Sequence, residues 1–352
     1  MANAHESVRV VMGSSFARRR HAATGSYARL QFLTPYPGGN VTSELQITPE
    51  IEELGLEEYA RELDRDGLTI VPPEVNAFGL DRIDRIVERI LERAHEMTGV
   101  RFTLDEGPLE ELEFPEREIP PEIREQIEAA GLLEAVQNPT QFLIQKLTQL
   151  DRLFRDLALN PAALALQNYL MAGQTRLSSA NCFVKWKGDF GYGPQLGLHA
   201  DQGATPTPWG AVAHTANSTW CLTDYTLAGG ALAYVPGSHR EGMPAPPPER
   251  VKDAVPAEAP KGSVIVWHGA TWHGAFPRKE EGLRLGLAVY HRHAATLPQE
   301  DVPGHTTEEM VQDCDNPDVY RVIAGLTDKF PYRETQSEIV PHARQAAAAA
   351  GG

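Results

Sequence analysis

A helical layer packed on an antiparallel β-sandwich or jelly roll is the fold class that this 352-residue chain predicts. Three observations carry that expectation. Up to Gly173 the apolar residues recur at helical spacing. After Gly173 they fall into short runs separated by Gly, Pro, Asn and Asp, as strands of a sandwich do. The residues with the most distinctive chemistry, His199, Asp201, His273 and Arg284, all lie in that second half.

In chain order, residues 1–45 mix Gly, Pro, Ser and the run Arg18-Arg19-Arg20, and read as a flexible arm. Thr48-Pro49 is a cap followed by a first-turn proline, opening a helix to Asp64. Gly67 then leads into a strand, Leu68 to Val71. Asn76 to Met97 carries Leu80, Ile83, Ile86, Val87, Ile90, Leu91 and Ala94 at helical spacing, with Gly99 as its stop. Residues 105–118 are acidic and proline-marked, a solvated surface loop. Helical patterns return over Pro120 to Leu133, Pro139 to Leu159 and from Pro161 to Gly173. Leu177 to Trp186, Thr219 to Leu222, Leu232 to Val235, Val264 to Trp267 and Leu285 to Tyr290 are the expected strands, and Met243 to Pro260 a long loop. One integrated domain over 46–340 follows: a helical part 46–173, a β core 174–295 and a C-terminal extension 296–340. An Ala/Gly tail, 341–352, ends the chain.

The composition, 41% hydrophobic and 23% charged, is that of a chain with a real core. A net charge of −16 opposes nucleic acid and anionic membrane surfaces as partners. No apolar run approaches the ~20 residues of a membrane-spanning helix. Cys182, Cys221 and Cys314 follow no metal-binding spacing and read as free thiols in a reducing, cytoplasmic compartment. The N-terminus shows no apolar stretch behind a basic start, so no secretory signal is expected.

The run Leu198-His199-Ala200-Asp201 places an imidazole and a carboxylate two residues apart, a spacing that projects both to one side of a strand end. With His273 they make a set of two imidazoles and one carboxylate, which holds non-haem Fe(II) and leaves coordination positions open. Arg284, eleven residues after His273, suits the remote carboxylate of a dicarboxylic cosubstrate through a two-pronged ion pair. His268 competes with His273, but it sits inside the strand run, whereas His273 follows the turn at Gly269 and is preferred. His214, His239, His291 and His293 read as structural or solvated. The five tryptophans read mostly as core, with Trp209 and Tyr192 as candidates for a substrate lid.

Several stretches resemble the phytanoyl-CoA dioxygenase family of Fe(II)- and 2-oxoglutarate-dependent oxygenases. Residues 59–71 resemble its helix and following Asp-Gly-apolar strand, and Ile144-Gln145-Lys146-Leu147-Thr148-Gln149-Leu150 its helix with a lysine that reaches the cosubstrate. The most specific stretch is Gly230-Ala231-Leu232-Ala233-Tyr234-Val235-Pro236-Gly237-Ser238-His239-Arg240, similar to the family's hairpin. Gly262 to His268 is similar to the strand leading into the second metal histidine. The resemblance implies a double-stranded β-helix, cupin-like, with His199, Asp201 and His273 on the iron and Arg284 on the C5 carboxylate of 2-oxoglutarate. It also implies that Lys146, Asn181 and Trp220 line the cosubstrate pocket. Ala200 and Ala275 depart from residues that many relatives carry there. The implied activity is O2-dependent oxidation of a small organic substrate, by hydroxylation or otherwise, with release of succinate and CO2. Asp201 fills the position that a halogenating relative leaves vacant. Against CoA esters stands the absence of a basic cluster near these motifs in sequence. Two rivals stand beside this reading: a cupin-type metalloenzyme that does not use 2-oxoglutarate, for which Arg284 has no task, and a non-catalytic jelly-roll binding module, which would lack a ligand.

Overall fold

The computed structural model describes residues 45–112, 121–129, 139–188 and 195–327. The arm up to residue 44, Tyr192 and the Ala/Gly tail lie outside them. The strands are β1 (Leu68–Val71), β2 (Phe102–Thr103), β3 (Gly107–Pro108), β4 (Gln141–Ile144), β5 (Thr175–Lys185) and β6 (Thr215–Cys221). They continue with β7 (Leu232–Tyr234), β8 (Val255–Ala257), β9 (Val264–His268), β10 (His273–Ala275) and β11 (Arg284–His293). The main sheet has the order β1-β9-β6-β11-β5-β4, a smaller sheet the order β10-β7-β8, and β2-β3 form a separate ribbon. Every pairing in the main sheet is antiparallel. This is the helix-covered β-sandwich that the sequence predicts.

The helical layer forms for local reasons. Thr48 Oγ1 caps the first helix by accepting the Ile51 N–H, and Gly55, at φ +67°, ends it after Leu54, so the helix expected to reach Asp64 is two helices. The long helix Leu80–Thr98 buries Ile83, Ile86, Val87, Ile90 and Ala94 of its predicted stripe, while Leu80 is exposed and Leu91 half-buried. It starts later than expected, because Gly79 at φ +99° separates it from the short turn Pro73–Asn76. Pro161–Leu170 starts on the Asn160 cap and is buried from Ala162 to Leu170. No helix among the described residues is long and apolar enough to cross a membrane.

Further expectations need correcting. The long loop expected over Met243 to Pro260 holds a 3-10 turn, Pro248–Asp253, and β8, which pairs with β7. The helix read over Pro139 to Leu159 is instead β4, then Leu147–Leu150 and Arg152–Ala158, because Gln141 to Ile144 pair with Lys185 to Cys182 of β5. The sheet edge overrides a helical pattern there. Trp220 is not in a pocket wall. The strand carrying it runs Thr215–Cys221, four residues earlier at its start than expected, and its alternation sends Asn217 and Thr219 to one face and Trp220 to the other. Trp220 is fully buried in the main hydrophobic core, its ring 5.3 Å from that of Phe78.

The same alternation organises the whole sheet. Leu285, Leu287 and Val289 of β11 join the core beneath the helices, while Arg284, Ala288 and Tyr290 face a cavity. One face therefore carries stability and the other carries chemistry. Trp220→Ala is expected to cost about 3–5 kcal/mol in a denaturant melt. A loss below about 1 kcal/mol would place the indole outside the core.

Candidate active site

His199 and His273 come from segments over seventy residues apart and are joined by a reciprocal pair of backbone hydrogen bonds, each 3.0 Å. The loop before His199 reaches this pairing through Leu196 and Gly197, both in the left-handed region, and Ala275 N–H donates to Leu196 O at 3.1 Å. Residue 274 must be glycine for that approach, because a Cβ there would overlap the Leu196 carbonyl. Asp201 opens a 3-10 turn two residues after His199.

Each imidazole is oriented from behind. His199 Nδ1 lies 2.9 Å from Gly197 O, and His273 Nδ1 lies 3.0 Å from Thr271 O. With the proton on each Nδ1, both Nε2 atoms are left as acceptors pointing inward, the tautomer a metal ligand needs. His199 Nε2 lies 3.6 Å from Asp201 Oδ1 and His273 Nε2 lies 3.5 Å from Asp201 Oδ2. One donor atom from each of the three falls within 4.8 Å of the others. Asp201 is fixed in turn: Trp267 Nε1 donates to its Oδ2 at 3.1 Å, and Tyr290 Oη donates to its carbonyl at 3.3 Å.

The electrostatics agree with that geometry. Burial raises the Asp201 carboxyl, but His273, His199 and the Trp267 hydrogen bond outweigh it and hold the group below the ordinary carboxylate range. The neighbouring Asp201 carboxylate raises the exposed His199 against its own desolvation, whereas burial lowers His273, with His199 adding to the effect. A carboxylate facing two Nε2 atoms, with all three donors on one side and a cavity on the other, fits an open Fe(II) site.

That cavity, of about 720 Å³, is lined by the three residues together with Arg284, Lys146 and Asn181. Arg284 is buried; its Nη1 donates to Tyr225 Oη at 2.9 Å, and its guanidinium lies 5.0 Å from the Tyr225 ring centre. Gly286 makes room for that phenol, since a Cβ there would overlap Tyr225 Oη. Lys146 stands at the end of β4 with φ +59°, ahead of its helix and not on it. Asn181, on β5, is paired with Ala288 of β11.

Sequence reasoning missed Tyr225, Trp267, Tyr290 and Glu300, all cavity-lining. Tyr290 was readable, because it follows Arg284 by six residues on one strand and so shares its face. Tyr225 and Glu300 lie outside the regular strands and carry no such signal. His268 is fully buried away from the three, its Nδ1 accepting the Ala270 N–H at 3.0 Å. Trp209 packs beside Leu198 and Trp272, and does not line the cavity.

The family description "Phytanoyl-CoA dioxygenase (PhyH)" matches residues 63–286, more than half of the chain. The chain belongs to the phytanoyl-CoA dioxygenase family. It is 34% identical over 157 residues to "Dioxygenase af480" of Aspergillus fumigatus, covering 44% of this chain and 49% of that protein. It is 33% identical over 100 residues to "Dioxygenase andF" of Emericella variicolor, covering 28% and 34% respectively. The chain thus spans about half or less of the length of these curated relatives. Among solved structures, HygX from Streptomyces hygroscopicus with nickel and 2-oxoglutarate bound is similar at 16% identity and TM-score 0.47, over 72% of this chain and 90% of that one. The epimerase SnoN in complex with Fe3+, alpha ketoglutarate and nogalamycin RO is similar at 18% identity and TM-score 0.47, over 81% and 96%.

His273→Ala is expected to abolish Fe(II) retention in an equilibrium metal assay, and His268→Asn to leave it unchanged. His268 also makes a pH prediction. Burial, aided by neighbouring His239, lowers it from 6.5 to about 3. Below about pH 6.5 the unfolded chain takes up a proton there that the folded chain refuses until about pH 3. Stability is therefore lost on acidification through that window, by up to about 1.4 kcal/mol per pH unit from this residue. Melts of His268→Asn between pH 6.5 and 4 should show a shallower decline than the parent. An equal slope would contradict the assignment.

Proposed function

We propose that this protein is a non-haem Fe(II)- and 2-oxoglutarate-dependent dioxygenase that hydroxylates, or otherwise oxidises, a small organic substrate. The observation that carries the proposal is a buried Arg284 in the wall of the same cavity as His199, Asp201 and His273. A guanidinium fixed by Tyr225 is matched to the far carboxylate of a dicarboxylic cosubstrate, which the cosubstrate-free cupin reading does not require.

His199, Asp201 and His273 would hold the metal, and Lys146 and Asn181 would flank the cosubstrate. When bound, Fe(II) and 2-oxoglutarate would supply the electrons that activate O2, the oxidant, with succinate and CO2 released. The protein's own part is geometric. The two carbonyls behind the imidazoles fix their tautomers, and Trp267 and Tyr290 keep Asp201 from turning away. Leu143, Phe183, Leu232 and Ala288 supply an apolar wall.

A cavity of about 720 Å³ lies in the range of small-molecule sites and supports a small or medium organic substrate, not an acyl-CoA ester. Its apolar and aromatic wall supports a substrate with an apolar face. The buried free thiols Cys182, Cys221 and Cys314 support a reducing, cytoplasmic setting. The oxygenase unit is taken to span 46–340.

Anaerobic addition of 2-oxoglutarate to the Fe(II)-loaded protein should produce the weak visible charge-transfer band of the chelate. Arg284→Ala should weaken that binding by roughly a hundredfold, the cost of removing one partner of a buried ion pair, about 3 kcal/mol. Bound iron without any band would favour a metalloenzyme that does not use 2-oxoglutarate.

A further inference from the structure

Glu300 lies beyond the family match, on the segment that follows β11, yet it lines the cavity. The segment is laid along β5: Gln299 N–H donates to Ser178 Oγ and Glu300 N–H to Ser178 O, each at 2.9 Å. From there the carboxylate reaches inward. Its Oε1 accepts the backbone N–H of Lys146 at 3.2 Å. The amide of Asn181 is satisfied when its Nδ2 faces the same oxygen, also at 3.2 Å. One oxygen thus grips two cavity residues, one at the end of β4 and one within β5.

Lys146 needs that grip. Its φ of +59° is a left-handed conformation that a lysine keeps only where its surroundings over-determine it. That backbone turn separates β4 from the helix Leu147–Leu150 and sets the direction in which the lysine leaves the chain. Asn181 shares the same carboxylate: in that orientation its Nδ2 also donates to Ala180 O at 3.1 Å and its Oδ1 accepts from Ser179 Oγ at 3.3 Å, so Glu300 supplies its one charged partner. Without an acceptor at residue 300, the Lys146 N–H and the Asn181 amide both lose a charge-assisted bond at the wall of the cavity.

We propose that Glu300 is a positioning residue for cosubstrate binding, acting through Lys146 and Asn181 and not by touching the metal. This rests on the 2-oxoglutarate reading above. Glu300 is not among the three metal-facing side chains, so its loss is expected to leave Fe(II) binding intact.

The test is an anaerobic titration of the Fe(II)-loaded full chain with 2-oxoglutarate, followed by the charge-transfer band, with Fe(II) affinity and thermal melting measured on the same samples. Glu300→Ala should raise the Kd for 2-oxoglutarate by about tenfold or more, the usual scale of a lost charge-assisted bond. Its Fe(II) affinity should stay within about twofold of the parent. Glu300→Gln keeps a carbonyl acceptor and should stay within about threefold of the parent Kd. In the double variant Lys146→Ala/Glu300→Ala the losses should be less than additive, since one residue acts through the other. An unchanged Kd in Glu300→Ala overturns the proposal, as does a matching loss of iron affinity and melting temperature, which would make the role structural. A parent that binds iron but shows no band overturns the cosubstrate reading itself, a result distinct from either of these.

Discussion

The reciprocal backbone pair between His199 and His273 is the constraint on which the site depends. It ties a loop to a three-residue strand that would otherwise have few reasons to meet, and it fixes the separation of two imidazoles before any ligand arrives. The carbonyls of Gly197 and Thr271 then set both ring tautomers, and Asp201 is held by Trp267 and Tyr290 from the large sheet. The metal-facing donors are thus preorganised by groups that are themselves tied to strands, which is what a site of this kind requires. Gly274 shows how close the tolerance is, because the pairing leaves no room for a side chain there.

The sheet divides its labour by parity. Along β6 and β11, and along β5 beyond its bulge, residues of one parity pack under the helices and those of the other line the cavity. A one-residue slip would bury Asn217 and Thr219 in the core and turn Trp220 into the site, so register and function are specified together. Past β11 the chain is fastened back to the helical layer. Asp315 pairs with Arg82 and Arg152, and both arginines also reach the buried Asp156. A shared network around a buried carboxylate holds better than isolated surface pairs. It anchors the segment whose Glu300 closes one wall of the cavity.

Much of this was legible in the sequence, for identifiable reasons. The His-x-Asp run, the distal histidine and the trailing arginine needed only residue type and order, and the structure brings all four to one cavity. Most of the stripe of Leu80–Thr98, the cap at Thr48 and the opening proline at Pro161 are local signals and were readable as such. What failed was tertiary. β4 reads as helix because its pairing with β5 is a long-range fact, and Trp220 was misplaced because its strand starts at Thr215 and not at Thr219. Tyr225 and Glu300 reach the cavity from an isolated bridge to Ala259 and from a segment past the last strand, where no periodicity exists to be read.

The central claim is that one Fe(II) is held by two imidazoles and one carboxylate, with room left for a chelating cosubstrate. Iron K-edge X-ray absorption of the anaerobic Fe(II) protein, before and after 2-oxoglutarate, measures this directly. Two imidazoles per iron in both states, with added oxygen scattering from the chelate in the second, is the predicted result. Three imidazoles, or a spectrum that 2-oxoglutarate leaves unchanged, would contradict it.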